Sequence, residues 1–319
     1  MAKSSKQRAR SWPYPRQAQF RKILERAATA WFRSHGHSKL TPGHILPSRG
    51  DWADNVILKE VSEYIDAERI RRQQDGGNFA LHMSAHHGLN SQALAFNLLG
   101  PLVVRKDFEP LGNLLGSTGA AWPQGEISAD FAVEDPEVLD EDSGQPTLVD
   151  FVIRAGGRTA VCVTVRLVEP EFRGCPIFET GDCDGRSPAG DFSLCYLHHI
   201  GRGYWKLLEK HGFLEAGIAG QRLCVLAAHY QFFRGMLFAL EKDASFVLIC
   251  DDRGPTFSVD GPQGRRGLMP LLEGFVPEKL RERIAVVTVT QLLESIESSG
   301  RHGDWTEDFR KKYALEIPE

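Results

Sequence analysis

Asp150 lies in an apolar run, 148–154, and Thr164 and Arg166 stand two apart in a β-branched run, 159–168. Residues i and i+2 of a strand point to one face, so Thr164 and Arg166 share a side. Gly156-Gly157 between the two runs reads as a tight hairpin turn. The turn would bring that side next to Asp150. A carboxylate facing two polar groups on a neighbouring strand suits metal-assisted cleavage of a phosphodiester. The carboxylate holds a divalent cation and a cationic side chain steadies the phosphate. Such a site ordinarily has a second carboxylate and a Lys. Asp followed by Thr-x-Arg also fits an ordinary edge-strand surface, and the spacing alone leaves both readings open.

Two other clusters carry reactive side chains. His82, His86 and His87 precede an apolar helix, and His198-His199 come later. A metal or general-base role is open to them, but satisfied or surface histidines are the expected reading. Cys175, Cys183 and Cys195, followed by His198, could form a Cys3His zinc site. Intervals of seven and eleven residues fit no compact knuckle, so buried or loose thiols are expected. Arg265-Arg266, after the turn Gly261-Pro-Gln-Gly264, read as a basic surface loop.

The elements that must place these residues come in three stretches. Helical periodicity spans 16–33 (Phe20, Ile23, Leu24, Ala27, Ala28, Trp31), 57–72 and 92–99. Asn90 or Ser91 would cap the third helix, and Gly100-Pro101 would stop it. Strands are predicted at 127–133, 148–154 and 159–168. An acidic Pro/Gly/Ser connection, 134–146, joins the first two, and an irregular Gly/Cys-rich insertion occupies 169–192. Helices follow at 197–211 and 230–240, strands at 246–250 and 284–290, and a final helix at 291–298. This order points to an α/β chain, an α+β mixed sheet flanked by helices. Residues 1–15 read as a basic mobile arm and 16–86 as a helical region packed on a core spanning 87–319.

Composition narrows the classes. Of 319 residues, 42% are hydrophobic and 25% charged, too apolar for a disordered chain. The longest apolar candidate, 93–104, is too short to span a membrane. The basic N-terminus lacks the apolar run of a signal peptide, and six cysteines without a CxxC pair make no disulfide framework. A cytoplasmic protein is expected. A net charge of −4 excludes a uniformly basic nucleic-acid coat. The first forty residues nonetheless hold ten Lys/Arg, Arg8 and Arg10 among them, against Glu25 alone. Such an arm can bind phosphate backbones by counterion release.

Several separated motifs resemble a group of bacterial restriction endonucleases in the PD-(D/E)XK superfamily. The most extended is His87-Gly-Leu-Asn-Ser-Gln-Ala-Leu-Ala-Phe-Asn-Leu-Leu-Gly-Pro-Leu102. Val149-Asp150-Phe151 then corresponds to a strand Asp, and Val163-Thr-Val-Arg-Leu-Val-Glu169 to a strand of the "EVKYTE" type. Gly203-Tyr204-Trp205 and Tyr230-Gln-Phe-Phe-Arg-Gly-Met-Leu-Phe-Ala239 match two helices. The resemblance covers about residues 52–257 in order. It implies a restriction-endonuclease-like core, Mg²⁺-dependent DNA cleavage and a part in defence against foreign DNA.

The departures fall at the chemistry. Thr164 stands in the Glu position of the (D/E)xK pair and Arg166 in the Lys position. A threonine hydroxyl is a neutral ligand, and Arg is too basic to accept a proton. A migrated carboxylate would restore the charge. Glu169 is one candidate, although an odd separation from Thr164 turns it to the other face unless a bulge before Pro170 re-aims it. Glu126 and Asp130 are the others. Gln231 and Arg234, three apart on a helix, could meet DNA phosphate or brace the site. Two expectations follow: a Mg²⁺ enzyme with Asp150 and Glu169 on the metal, or a degraded nuclease-fold subunit that binds DNA or a protein from the same operon. The sequence leaves the oligomeric state open.

Overall fold

The computed structural model describes residues 16–141, 146–260 and 264–315. The basic arm with Arg8 and Arg10 therefore lies outside the described residues. Four helices lead: α1 (Gln17–Ser34), α2 (Lys59–Gln74), α3 (Ser91–Val104) and α4 (Glu109–Ser117). Strands β1 (Ile127–Asp135), β2 (Thr147–Ala155) and β3 (Arg158–Arg166) follow. Next come the short helices α5 (Pro176–Glu179) and α6 (Tyr196–His199), then α7 (Tyr204–Lys210), α8 (Val225–Glu241) and β4 (Ser245–Cys250). The chain continues through α9 (Leu268–Glu273), β5 (Ile284–Thr288), α10 (Val289–Ser298) and α11 (Gly303–Lys312).

The five strands form one mixed sheet in the order β1-β2-β3-β4-β5. Turn-linked β1, β2 and β3 run antiparallel, whereas β3–β4 and β4–β5 pair in parallel across helical crossovers. All six residues of β4 are buried, as befits a central strand covered on both faces. One face carries Phe131, Phe151, Ile153, Val161, Val163 and Val165 in a core shared with α1, α3 and α10. The other carries Val152, Cys162, Phe246 and Leu248 against α7 and α8. Helix–sheet–helix layering thus matches the mixed α+β expectation.

Several boundaries differ from the periodicity reading. Helix α3 runs through Gly100-Pro101 to Val104 instead of stopping there. Twelve of its 14 residues are buried, and that burial outweighs the roughly 3 kcal/mol a mid-helix Pro costs. The predicted helix 197–211 is two, α6 and α7, parted at Gly201, whose φ of +90° a helix cannot use. Helix α4 went unread, and α11 follows the helix taken as final.

Helix α3 bolts the N-terminal helices to the rest. Buried Asn97 accepts from Ile57 N–H (2.7 Å) and donates to Asn55 C=O and Tyr313 Oη, both at 3.0 Å. Lys312 donates to the same Asn55 carbonyl, with Nζ 4.4 Å from the Trp31 ring centroid. Burial holds its amine well below the ordinary Lys range. Close approach between α2 and α3 depends on Gly100, where an added Cβ would stand 2.4 Å from Val61 Cγ1. Gly100→Ala is therefore expected to destabilise by about 1–3 kcal/mol in urea unfolding. Val61→Ala in the same chain should recover part of that loss; equal stability of wild type and Gly100→Ala would refute the close contact.

Candidate functional site

Pairing between β2 and β3 ends at Phe151 and Val163. Beyond that point β2 stays on β1, down to Asp135–Thr147, and β3 stays on β4, up to Arg166–Cys250. The two strands part into a fork, and Asp150 sits in it. Its Oδ2 accepts the Val165 N–H at 2.9 Å, standing in for the lost ladder partner, and accepts Arg166 Nη1 at 3.1 Å. Arg166 also donates to the Val165 carbonyl at 2.8 Å. Asp150, Thr164 and Arg166 line one small pocket on the α8 side of the sheet, so the structure brings the three together as their spacing predicts. Desolvation pushes the Asp150 carboxyl up from its ordinary value, opposed by the Arg166 charge and the Val165 N–H and reinforced by Glu169.

The odd-parity objection to Glu169 does not apply, because β3 ends at Arg166 and the chain bends at Leu167 and Val168. The Leu167 N–H donates both to Glu169 Oε2 (2.8 Å) and to Ser91 Oγ (3.0 Å). Ser91 in turn donates to Glu169 Oε1 at 2.5 Å. The first residue of α3 thus aims Glu169 into the cleft that Asp150 and Arg166 border. This cleft, of about 590 Å³, is also lined by Arg21 of α1, His82, Arg173 and Gln231. Burial, then Arg173, holds His82 below its usual value despite Glu169 and Asp150. Its Nδ1 accepts the Ser84 N–H at 3.1 Å, which leaves the neutral ring's proton on Nε2.

Two expected site residues stand elsewhere. Glu126 precedes β1 beside the β2–β3 turn, its carbonyl accepting the Gly156 N–H. Ala155 lies five residues along β2 from Asp150, about 17 Å, so Glu126 cannot assist it. The other migrated candidate, Asp130, is ion-paired with Arg154 at 2.9 Å. Arg234 is buried. Its Nη2 donates to Glu141 at 2.8 Å and its Nε to Thr147 at 3.1 Å. Thr147, Tyr204 and Tyr230 also donate to the Glu141 carboxylate. Arg234 therefore braces the floor of the site; its guanidinium is spent on Glu141. Desolvation pushes the Tyr230 hydroxyl up to about 12 and raises Tyr204 as well. Glu141 escaped the sequence reading because it lies in an acidic loop; only the Tyr and Arg positions of the two motif helices pointed toward it. Gln231 does reach the cleft, because His229 (φ −133°, ψ 35°) breaks the first turns of α8 and frees the Gln231 N–H for the Arg173 carbonyl. Arg265 is held by Ser258 and Glu273.

A mixed sheet layered between helices, with a carboxylate in the fork of two parting strands, defines a nuclease-like α+β fold. A family model described as restriction endonuclease associating with ARP matches residues 26–314, and the chain belongs to that family. No curated protein and no solved structure matches it. Among the described residues, no helix is long and apolar enough to cross a membrane.

The Asp150 titration provides a direct check. Because its folded-state value is raised, the native chain binds this proton more tightly than the unfolded one. Its contribution to stability is full at acid pH and is lost as pH rises through the raised value. Arg166→Ala removes the largest opposing charge. The Asp150 carboxyl should then titrate higher still by carboxyl-carbon NMR, and the window of lost stability should extend upward. An unmoved titration would mean that the guanidinium is not felt by the carboxylate.

Proposed function

We propose that the chain is a divalent-cation-dependent nuclease that acts on DNA backbone in the Asp150 cleft. The observation that carries this reading is Asp150 in the strand fork with Glu169 turned into the same cleft. Mg²⁺ commonly takes only one or two carboxylates, keeping several waters and adding substrate phosphate oxygens. Asp150 and Glu169 fit that demand. Both hydrogen bonds to Asp150 fall on Oδ2, so among the described residues Oδ1 has no donor. When bound, the cation would polarise the phosphate and acidify its water. Arg166, permanently charged, would steady the negative charge that grows on the phosphate oxygens. Removing the water's proton falls to another group, since Arg166 does not accept one. Arg21 and Arg173 add positive charge where a backbone would run. The family description names an association with ARP, so a protein partner is part of the proposal, as is a role in defence against foreign DNA.

A second reading is favoured by one contact. Arg166 lies on Asp150 where a cation would bind, and Thr164 supplies no charge to compete for it. On this reading the chain grips DNA, or its partner, without cutting.

Plasmid cleavage assays in Mg²⁺ and Mn²⁺, with and without the partner, separate the two. Nicking that vanishes in Asp150→Ala while gel-shift binding persists supports the nuclease. Retained DNA binding without nicking under every condition supports the second reading. A further expectation concerns the departures from the (D/E)xK pair. Thr164→Glu with Arg166→Lys should tighten Mn²⁺ binding by about 1–3 kcal/mol, roughly 5- to 150-fold. Calorimetry showing unchanged affinity would mean that the fork is not a cation site.

A further inference from the structure

Residues 173–200 cross the α8 side of the sheet with little that could hold them there. Apart from α5, α6 and one turn of 3-10 helix they have no regular structure. The buried residues among them are Cys175, Gly185, Pro188 and Leu197. Phe178, Leu194, Tyr196 and Ile200 face solvent. Fixing one residue's backbone costs about 1–2 kcal/mol. A handful of buried side chains, each worth roughly 1.5–3 kcal/mol, does not offset a segment of this length.

What the segment does bring together is sulfur. Cys175 immediately before α5, Cys183, Cys195 immediately before α6 and Cys224 immediately before α8 line one apolar cavity of about 20 Å³. That is room for one small sphere. Backbone donors are aimed at three of the sulfurs. The Gly185 N–H donates to Cys183 Sγ at 3.4 Å, and the Phe178 and Ile177 N–H groups by Cys175 and the Ala227 and Leu226 N–H groups by Cys224 favour the thiolate forms. A neutral thiol is only a weak acceptor, whereas such donors suit a thiolate. Desolvation raises the Cys224 thiol to about 11, and Cys195 and Cys175 beside it push the same way. A divalent ion would reverse that balance. His198, the nearest histidine in sequence, is not part of the cavity: its ring lies 5.7 Å from Phe192 and its Nδ1 is buried without a partner.

We propose that Cys175, Cys183, Cys195 and Cys224 form a four-thiolate site for one zinc-class divalent ion, which staples residues 173–203 to the start of α8. Among the described residues no three His, Cys, Asp or Glu side chains stand in metal-holding geometry, so the thiols must reorient to bind. The four cysteines line the cavity, and a bound zinc would hold their sulfurs at about 2.3 Å. Binding releases the four thiol protons and leaves no sulfur oxidised. The site is independent of the Asp150 chemistry and stands or falls separately.

The purified full-length chain should carry one zinc per molecule by elemental mass spectrometry. A strong chelator should release it and lower the melting temperature. Cys183→Ser and Cys224→Ser should each lose the metal, whereas Cys162→Ser and Cys250→Ser, in the buried strands, should keep it. Should a site variant fail to fold, cobalt exchange into the wild-type protein still decides the matter: tetrahedral four-sulfur coordination gives intense thiolate charge-transfer and ligand-field bands. The proposal is overturned by metal-free wild-type protein after zinc reconstitution, by disulfides among these cysteines, by an iron–sulfur chromophore, or by full zinc retention in both site variants.

Discussion

One amide governs the centre of this protein. Where β2 leaves β3, the Val165 N–H loses its ladder partner, and a buried donor without an acceptor costs about 1–3 kcal/mol. Asp150 supplies the acceptor. The fork can therefore open without an orphaned amide, and the carboxylate that accepts it is the one the proposed function places on the cation. Arg166 follows three residues past the last β2–β3 pair, on the Asp150 face of the sheet, and pairs with that carboxylate. Both of these bonds fall on Oδ2, so the same carboxylate that holds the fork keeps Oδ1 without a donor among the described residues.

The second carboxylate depends on the same economy of backbone groups. Leu167 lies just past the end of β3, and its N–H is shared between Glu169 and Ser91. Ser91 opens α3, whose Asn97 reaches Asn55 and Tyr313. A short run of contacts thus joins the cleft to the N-terminal helices and to the C-terminal end of the chain. On the other side, Glu141 gathers Arg234, Tyr204, Tyr230 and Thr147 into a buried polar floor. Removing one member would leave charged or hydroxyl groups unpaired in a low dielectric, where such losses are most costly.

Much of this could be read from residue order. The 156–157 turn, the two-residue spacing of Thr164 and Arg166 and the β-branched strands bring Asp150, Thr164 and Arg166 to one face, because alternation on a strand is a local property. The layered mixed sheet was legible for the same reason. Glu169 was judged by that alternation one turn too far, since nothing local marks where β3 ends. Glu126 looked close in sequence to the first strand but lies at its wrong end, a matter of register. Arg234 stays open in the sequence between a phosphate contact and a brace because its acceptor, Glu141, comes from a loop 93 residues away. Cys224 was overlooked beside Cys195 for the same reason: convergence of distant segments is tertiary information. Pro101 misled in the opposite sense, as a local breaker overruled by burial.

The anchoring of α1 by α11 has a consequence for how the molecule is made. Trp31 and Phe32 pack against Lys312, and the Asn55 and Asn97 cluster is completed by Lys312 and Tyr313. Helix α1 emerges from the ribosome well before its partner, which every other helix and strand precedes. Until then its apolar stripe stays uncovered, a client for chaperones that shield nascent chains. Termination before α11 would release a chain unable to seat α1 fully, and quality-control proteases would meet that loosened helix.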